Sequence, residues 1–160
     1  MINFTSTKIT KAILLVNTNH YKTSNPLKQI IDIEHYSIKV CPEKNRVYFC
    51  IRGRWDKNIQ LEDYLRVWKT TVSYLKPNFT IISDIRTMLS HPISVEKIHE
   101  AAQKYLIEHG LFKVAEVVSH DDIAELQASR IAGRSNLPVN KFSSFEQAEK
   151  YLDQLVKELE

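Results

Sequence analysis

Apolar residues along this chain alternate between two spacings, every second residue and every third or fourth residue. From Val47 to Leu159 the spacings predict strand, helix, strand, helix, strand, helix, strand and helix in turn. Two of the strands are short apolar runs that end at polar residues, from Phe79 to Asp84 and from Lys113 to Val118. Strands that alternate with amphipathic helices pair in parallel. The pattern therefore predicts an α/β fold with a mixed, mostly parallel sheet of about five strands and about four helices.

A hairpin is predicted before this alternation. Its strands run from Ile31 to Cys41 and from Arg46 to Arg52. The apolar positions of the first strand change phase, which indicates a bulge or a break near Glu34 and His35. Residues 1–28 are rich in Thr, Asn, Lys and Ser. We interpret them as an N-terminal extension, either an arm or an extra strand, before a main domain at 29–160.

Four helices are predicted from apolar residues at helical spacing. The first covers about 59–75. Ser94 is expected to cap the second, and Asp121 and Asp122 to begin the third. Ser143 with Glu146 resembles a capping box for the fourth. A short fifth strand is expected between the last two helices, at 137–142. The apolar residues of the third helix are Ile123, Leu126 and Ile131.

Composition narrows the possible classes of protein. The chain has 160 residues, of which 43% are hydrophobic and 26% charged, a balance typical of a globular domain. A net charge of +3 without a binding motif argues against a nucleic-acid partner. The longest early apolar run, at 12–16, is too short to span a membrane. We therefore expect no membrane span.

The positions of the two cysteines predict whether they form a disulfide. If Cys41 pairs with Arg46 across the hairpin, Cys50 lies opposite Ser37, and a disulfide between the cysteines is geometrically excluded. We expect two reduced thiols, which fits a cytoplasmic location.

The predicted order of elements over residues 31–158 resembles the anti-sigma-factor-antagonist fold, the STAS-like or SpoIIAA-like class of bacterial proteins. The hairpin from Tyr36 to Arg52 ends in a turn that contains glycine, as in the family. The segment from Leu75 to Asp84 resembles the family's third strand, which ends in an acidic or amide residue. The segment from His109 to Val118 resembles its turn from a helix through glycine into an apolar strand. The resemblance implies a STAS-like domain at 29–160.

One segment departs from the family pattern. Members controlled by phosphorylation carry an Asp-Ser-Ser-Gly-like motif at the start of the second helix. Here that place reads His91-Pro92-Ile93-Ser94-Val95, and only Ser94 keeps a hydroxyl. The chain thus resembles the divergent, stand-alone branch of the family. The resemblance implies Ser94 as a phosphoacceptor candidate, whereas the missing Asp and Gly favour a helix cap.

The candidate site lies where strands end, because open α/β sheets bind ligands at the carboxyl ends of their strands. Asp84 ends one strand, and it either belongs to a site with His91 or pairs with Arg86. The connection from Asp84 to Pro92 is longer than the usual loop of about 2–6 residues. Its apolar residues are expected to border a cleft or a self-association surface, or to fill the core. The candidate binding residues are Asp84, Arg86, Met88, Leu89, His91, Ser94, Ser119 and His120.

The Ser119-His120-Asp121 triplet contains the residue types of a hydrolase triad, but neighbours in sequence cannot line up as nucleophile, base and acid. We therefore assign no catalytic residue. No histidine has the spacing of a metal ligand, and no cofactor is expected.

The leading hypothesis is a non-enzymatic regulatory or binding domain that docks a protein partner or a small apolar or anionic ligand. A homodimer is a further partner hypothesis. The alternative is a small hydrolase or transferase that uses Asp84 and a nearby histidine. Function lies in the site and not in the fold, so both hypotheses stay open at this point.

Overall fold

The computed structural model describes residues 26–56 and 58–160. Six strands and four helices follow one another over these residues. The strands are β1 (Lys28–Asp32), β2 (Tyr36–Cys41), β3 (Arg46–Gly53), β4 (Phe79–Met88), β5 (Leu111–Val117) and β6 (Val139–Phe142). The helices are α1 (Leu61–Val72), α2 (Ile93–Glu108), α3 (Asp122–Ser135) and α4 (Phe145–Glu158).

The strands form one sheet in the order β1-β2-β3-β4-β5-β6. The pairs β1·β2 and β2·β3 are antiparallel, and the pairs β3·β4, β4·β5 and β5·β6 are parallel. The predicted α/β class, with a mixed and mostly parallel sheet, is confirmed. Each of α1, α2 and α3 connects two neighbouring parallel strands, and crossovers of the same hand place their helices on the same face.

Both faces of the sheet are packed. On one face, residues of α1, α2 and α3 such as Trp68, Val95 and Ala124 join the main apolar core. On the other face, Ala148 and Leu152 of α4 pack in a second, smaller cluster. The chain therefore has three layers, and α4 alone among the described helices covers the second face.

Charged contacts also attach α4 to the sheet. Arg46 of β3 is buried, and its Nη1 lies 2.6 Å from Oδ1 of Asp153. Tyr48 Oη donates to Glu149 Oε1 over 2.7 Å, and Lys44 Nζ lies 2.8 Å from the same oxygen. A buried guanidinium needs such partners, since an unpaired charge in the interior is costly.

The strand predicted from Ile31 to Cys41 is two strands. The phase change marks a break at residues 33–35, where Ile33 N–H donates to Tyr36 O, so the sheet has six strands instead of about five. The predicted hairpin register is confirmed: Cys41 lies opposite Arg46, and Ser37 opposite Cys50. Both cysteines are free, as expected.

The strand predicted to end at Asp84 continues to Met88. The prediction of a long loop from Asp84 to Pro92 is therefore wrong. The connection to α2 spans only residues 89–92. The register slips between the pairs Cys50–Asp84 and Arg52–Thr87, which marks a bulge. The extra residue breaks the period of two, so Ile85 and Met88 both face the main core despite their odd spacing.

The helix starts agree in part with the sequence. Asp121 caps α3 as predicted, because its Oδ1 accepts a hydrogen bond from Ala124 N–H. The cap of α4 is Ser144, which accepts from Gln147 N–H, so the predicted capping box at Ser143 is wrong by one residue. Helix α2 begins at Ile93 after Pro92, and Ser94 is not its cap.

The proposed extension at 1–28 lies mostly outside the described residues, which include it only from Pro26 onward. Lys28 already belongs to β1. Within the described part of the chain, no helix is long and apolar enough to cross a membrane.

Candidate functional site

Four exposed large apolar side chains among the described residues lie where the parallel strands end. This end of the domain also holds the N-termini of α2 and α3, because each crossover helix begins where the preceding strand stops. We call the group Leu89, Ile93, Ile123 and Leu126 the apical patch. Their exposed fractions are 46%, 73%, 68% and 71%, respectively. Leu61, at the start of α1, is also exposed at this end.

Buried polar contacts hold the two helices of the apical patch together. Gln127 of α3 accepts a hydrogen bond from His91 N–H at 2.7 Å and donates to His91 O at 2.8 Å. Farther along the helices, Arg130 Nη2 lies 2.6 Å from Oε1 of the buried Glu96. Arg134 Nη1 lies 3.9 Å from the same oxygen. Buried hydrogen bonds and an ion pair thus fix α3 to α2 and to the loop before it.

Two of the three apolar residues noted in the third helix belong to this surface. Ile123 and Leu126 are exposed, whereas Ile131 is buried. The buried face of α3 consists of Ala124, Gln127, Ile131, Ala132 and Ser135. Small and polar residues allow α3 to lie close to α2, so the larger residues on its other face remain uncovered.

His91, a predicted binding residue, is buried in an aromatic cluster. Its Nδ1 accepts a hydrogen bond from Trp55 N–H at 2.9 Å, and its ring lies 5.3 Å from the rings of both Trp55 and His99. Burial, followed by the positive charge of Arg54, lowers the pKa of His91 to about 4. His91 is therefore a neutral ring that holds the loop before α2 in place.

Asp84 and Arg86 pair with each other. Arg86 Nε donates to Asp84 Oδ1 at 2.9 Å, and Arg86 Nη2 to Asp84 Oδ2 at 2.7 Å. Asp84 lies beside Val117, which packs under α4, so it faces away from the cluster that contains His91. The structure therefore does not bring Asp84 and His91 together, so His91 is not the nearby histidine that the enzyme hypothesis needs.

Met88 and Leu89 differ in their surroundings. Met88 is buried in the main core, whereas Leu89 is exposed in the loop before α2. The backbone of this loop is fixed by a hydrogen bond from Leu89 N–H to Gly53 O. Of the two, only Leu89 lies on a surface that a partner can reach.

Ser119 and His120 form the loop before α3. Ser119 Oγ donates to Met88 O at 2.9 Å and accepts from Asp121 N–H at 3.0 Å. His120 is exposed, and its N–H donates to Arg86 O. Ser119 therefore has a structural role, because its hydroxyl connects the end of β4 to the loop that follows β5.

Ser94 is exposed in the first turn of α2, and no side-chain bond caps the helix. We therefore predict that Ser94→Ala changes the free energy of unfolding by less than about 0.5 kcal/mol, as is usual for exposed positions. Urea denaturation checks this. Ser144→Ala is the matched control, since it removes an actual cap and should cost about 1 kcal/mol. An equal loss in both variants would contradict the prediction.

A second group of polar residues, missed in the sequence, lies beneath the helices. Glu116 of β5 is 6% exposed, and its carboxyl lies beside Glu125 of α3. Burial first, and then the neighbouring Glu125, raise the pKa of Glu116, while Lys141 lowers it. His99 of α2 is also buried, and burial lowers its pKa to about 3. Both side chains are therefore held in their uncharged forms at neutral pH.

Sequence signals for this group did exist. Glu116 interrupts the apolar run of β5, and His99 lies four residues from Val95 and seven from Leu106, on the buried face of α2. Over residues 26–56 and 58–160, no group of three or more His, Cys, Asp or Glu side chains could hold a metal ion.

Comparison with known proteins extends the description of the fold. No family model and no curated protein matches the chain. An uncharacterized protein of the DUF3478 family from Shewanella loihica PV-4, described as having a SpoIIAA-like fold, aligns with a TM-score of 0.52. The identity is 14%, and the alignment covers 81% of this chain and 98% of that one.

Two more solved structures align over most of their length. SiaC of Pseudomonas aeruginosa gives a TM-score of 0.50 at 12% identity, covering 73% of this chain and 99% of SiaC. An anti-sigma factor antagonist from Mycobacterium paratuberculosis gives 0.47 at 12% identity, covering 82% and 97%. At such identities the likeness concerns the fold. The chain has a SpoIIAA-like fold.

Proposed function

We propose that this domain acts without catalysis, by docking a protein partner on the apical patch. The observation that carries the proposal is the exposure of four large apolar side chains on the first turns of α2 and α3 and on the loop before α2, which buried hydrogen bonds fix to α3. An exposed apolar group on a fixed frame is typical of a binding surface. Burial of each such side chain contributes about 1.5–3 kcal/mol, which favours association.

Charges beside the apical patch indicate the chemistry of the partner. Lys97 lies one turn after Ile93, and Arg130 and Arg134 lie one and two turns after Leu126. Glu96 is shared by both arginines and offsets one of these positive charges, and Asp122 lies beside Ile123 in the first turn of α3. We infer a partner segment that combines apolar side chains for the patch with carboxylates for the basic positions.

Ser94 follows Ile93 at the edge of the apical patch. A phosphate on Ser94 would add about −1.5 to −2 charges beside the surface. That charge would oppose an acidic partner. The unmodified hydroxyl is compatible with docking, so in this proposal phosphorylation weakens the contact and is not required for it.

The partner can be sought by photo-crosslinking in the native cells. A photoreactive phenylalanine analogue replaces Leu126 in one variant and Leu159 in another. Leu159 is 54% exposed and lies at the opposite end of the domain, so it is the control position. We expect a protein adduct from position 126 that is absent from position 159. Equal adducts at both positions, or an adduct only with a second copy of this chain, would contradict the proposal.

Substitution of the apical patch should separate binding from stability. We predict that Ile93→Asp with Leu126→Ser weakens the affinity for the cross-linked partner about 100-fold or more, because two buried apolar contacts are lost. The free energy of unfolding should change by less than about 1 kcal/mol, since both residues are exposed and Asp suits a helix N-terminus. Calorimetric titration and urea denaturation measure the two quantities.

The matched control is Tyr74→Ser with Leu159→Ser. These residues are also large, apolar and exposed, but they lie at the other end of the domain. The control should keep the native affinity. If it lost as much affinity as the patch variant, the assignment of the apical patch would be wrong.

A further inference from the structure

A cavity of about 60 Å³ lies between the sheet and helices α1, α2 and α3. Its walls are mostly apolar, with contributions from Phe49, Ile85 and Leu106. It is separate from the apical patch, whose four side chains do not line it. The polar residues that line it are Tyr64, Trp68, Ser83, His99, Gln103 and Glu116.

Three of these polar residues share an unusual property. Trp68 Nε1, His99 Nε2 and Glu116 Oε1 are buried atoms without a hydrogen-bond partner among the described residues. The side chains are 1%, 5% and 6% exposed and belong to α1, α2 and β5, respectively. Buried polar atoms are normally satisfied, because an unmade hydrogen bond in the interior costs free energy. Their convergence on one cavity therefore indicates a site for a polar molecule.

The side chains define what such a molecule must offer. The Trp68 indole can only donate a hydrogen bond, whereas a neutral imidazole and a neutral carboxyl can each donate or accept. His99 Nδ1 lies 3.5 Å from Tyr64 Oη, which leaves Nε2 for the cavity. No Lys or Arg lines the cavity, so an anion would find no countercharge there. An ion without a countercharge is excluded from such a site by the cost of desolvation.

We propose that this cavity binds a small uncharged molecule that carries both a hydrogen-bond donor and an acceptor, held by Trp68, His99 and Glu116. The cavity volume of about 60 Å³ corresponds to about four water-sized positions, which fits a short amide or alcohol. A ligand of this size binds with a dissociation constant no tighter than about 0.1 mM in practice. The site is independent of partner docking on the apical patch.

The two tryptophans permit a direct test with acetamide as the probe. Trp68 reports on the cavity, whereas Trp55 Nε1 donates to His35 O at 3.0 Å outside it and serves as an internal reference. In a titration followed by the ¹⁵N–¹H signals of the two indoles, we expect a saturable shift of the Trp68 signal. The Trp55 signal should move much less, because Trp55 does not line the cavity. A nuclear Overhauser contact between the acetamide methyl and the Trp68 ring should accompany saturation.

Two variants decide whether Glu116 belongs to the site. Glu116→Gln keeps a donor and an acceptor, so acetamide should bind within about threefold of the native affinity. Glu116→Leu removes both and should weaken binding at least about tenfold, with an unshifted Trp55 signal as the check of folding. If Glu116→Leu does not fold, the Overhauser contact in the native protein decides.

Three results would overturn the proposal. The first is a Trp68 signal that does not move up to about 0.1 M acetamide, which would show that the cavity accepts water only. The second is a linear shift of both indoles without saturation. The third is unchanged affinity in a folded Glu116→Leu variant.

Discussion

Replacement of Trp55 by alanine is expected to lower the free energy of unfolding by about 3–5 kcal/mol, the range for a large aromatic residue removed from a core. Trp55 is fully buried although it lies outside the helices and strands. Its ring lies 4.4 Å from His99, 5.2 Å from Tyr36 and 5.4 Å from Tyr64. The substitution removes the centre of this aromatic group and leaves a cavity beneath the loop that carries His91.

Urea denaturation followed by circular dichroism measures the effect. Tyr74→Ala is the control, because Tyr74 is an exposed aromatic residue and its loss should cost less than about 1 kcal/mol. Trp55→Phe should fall between the two, since it keeps an aromatic ring but loses the hydrogen bond to His35 O. A Trp55→Ala variant as stable as the Tyr74→Ala variant would disprove the central role of Trp55.

Glu116→Gln is expected to stabilise the protein at alkaline pH. The pKa of Glu116 is raised in the folded state above its ordinary value of 4.5, so ionisation opposes folding. The contribution of Glu116 to stability is complete below pH 4.5 and declines as the pH rises toward the raised pKa. Glutamine has the same shape and cannot ionise. At pH 8 the variant should therefore be more stable than the native protein, by a difference on the order of 4 kcal/mol, because the pKa of Glu116 is raised to about 8.

The measurement is the free energy of unfolding across a pH series. Near pH 4 the variant and the native protein should agree within about 0.5 kcal/mol, because Glu116 is then protonated in both states. Glu62→Gln is the control for the substitution itself, since Glu62 is a glutamate exposed on α1. A Glu116→Gln variant that is less stable than the native protein at pH 8 would contradict the assigned pKa shift.

Most of the fold could be predicted from the spacing of apolar residues. Each strand or helix packs one face on the core, so its apolar residues recur at the period of that element. The hairpin register was predictable from the turn, so the separation of Cys41 from Cys50 followed directly. The extent of β4 was not predictable. In the sequence, the charged Asp84 indicates the end of a strand. In the structure its carboxylate pairs with Arg86, so the strand continues. The bulge then places Met88 on the face that packs in the core.

Several of the candidate binding residues predicted at this end of the sheet are buried or paired in the structure. His91 and Met88 are buried, and Asp84 is neutralised by its neighbour in sequence. Ile93, Ile123 and Leu126 are exposed instead. A periodic pattern shows which residues share a face of a helix, but it does not show how closely the next helix approaches. The small residues of α3 allow a close approach, and that approach decides which apolar side chains stay outside.

The buried polar group depends on three elements that are far apart in sequence. Trp68, His99 and Glu116 meet only after α1, α2 and β5 are assembled. The sequence around each residue predicts only an ordinary interior position. That their polar atoms lack hydrogen-bond partners depends on the tertiary structure.

The strand order has a consequence for synthesis on the ribosome. Each of the six described strands lies beside its neighbour in sequence, so from β1 onward each new strand can add to an edge that already exists. Translation delivers about 5–20 residues per second, whereas hairpins and helices form within about 10 microseconds. The sheet can therefore grow in the order of translation, with no place reserved for a later strand. Only the face that includes Tyr48, Ile82 and Val117 must wait for α4, and the nascent chain presents these apolar side chains to chaperones until then.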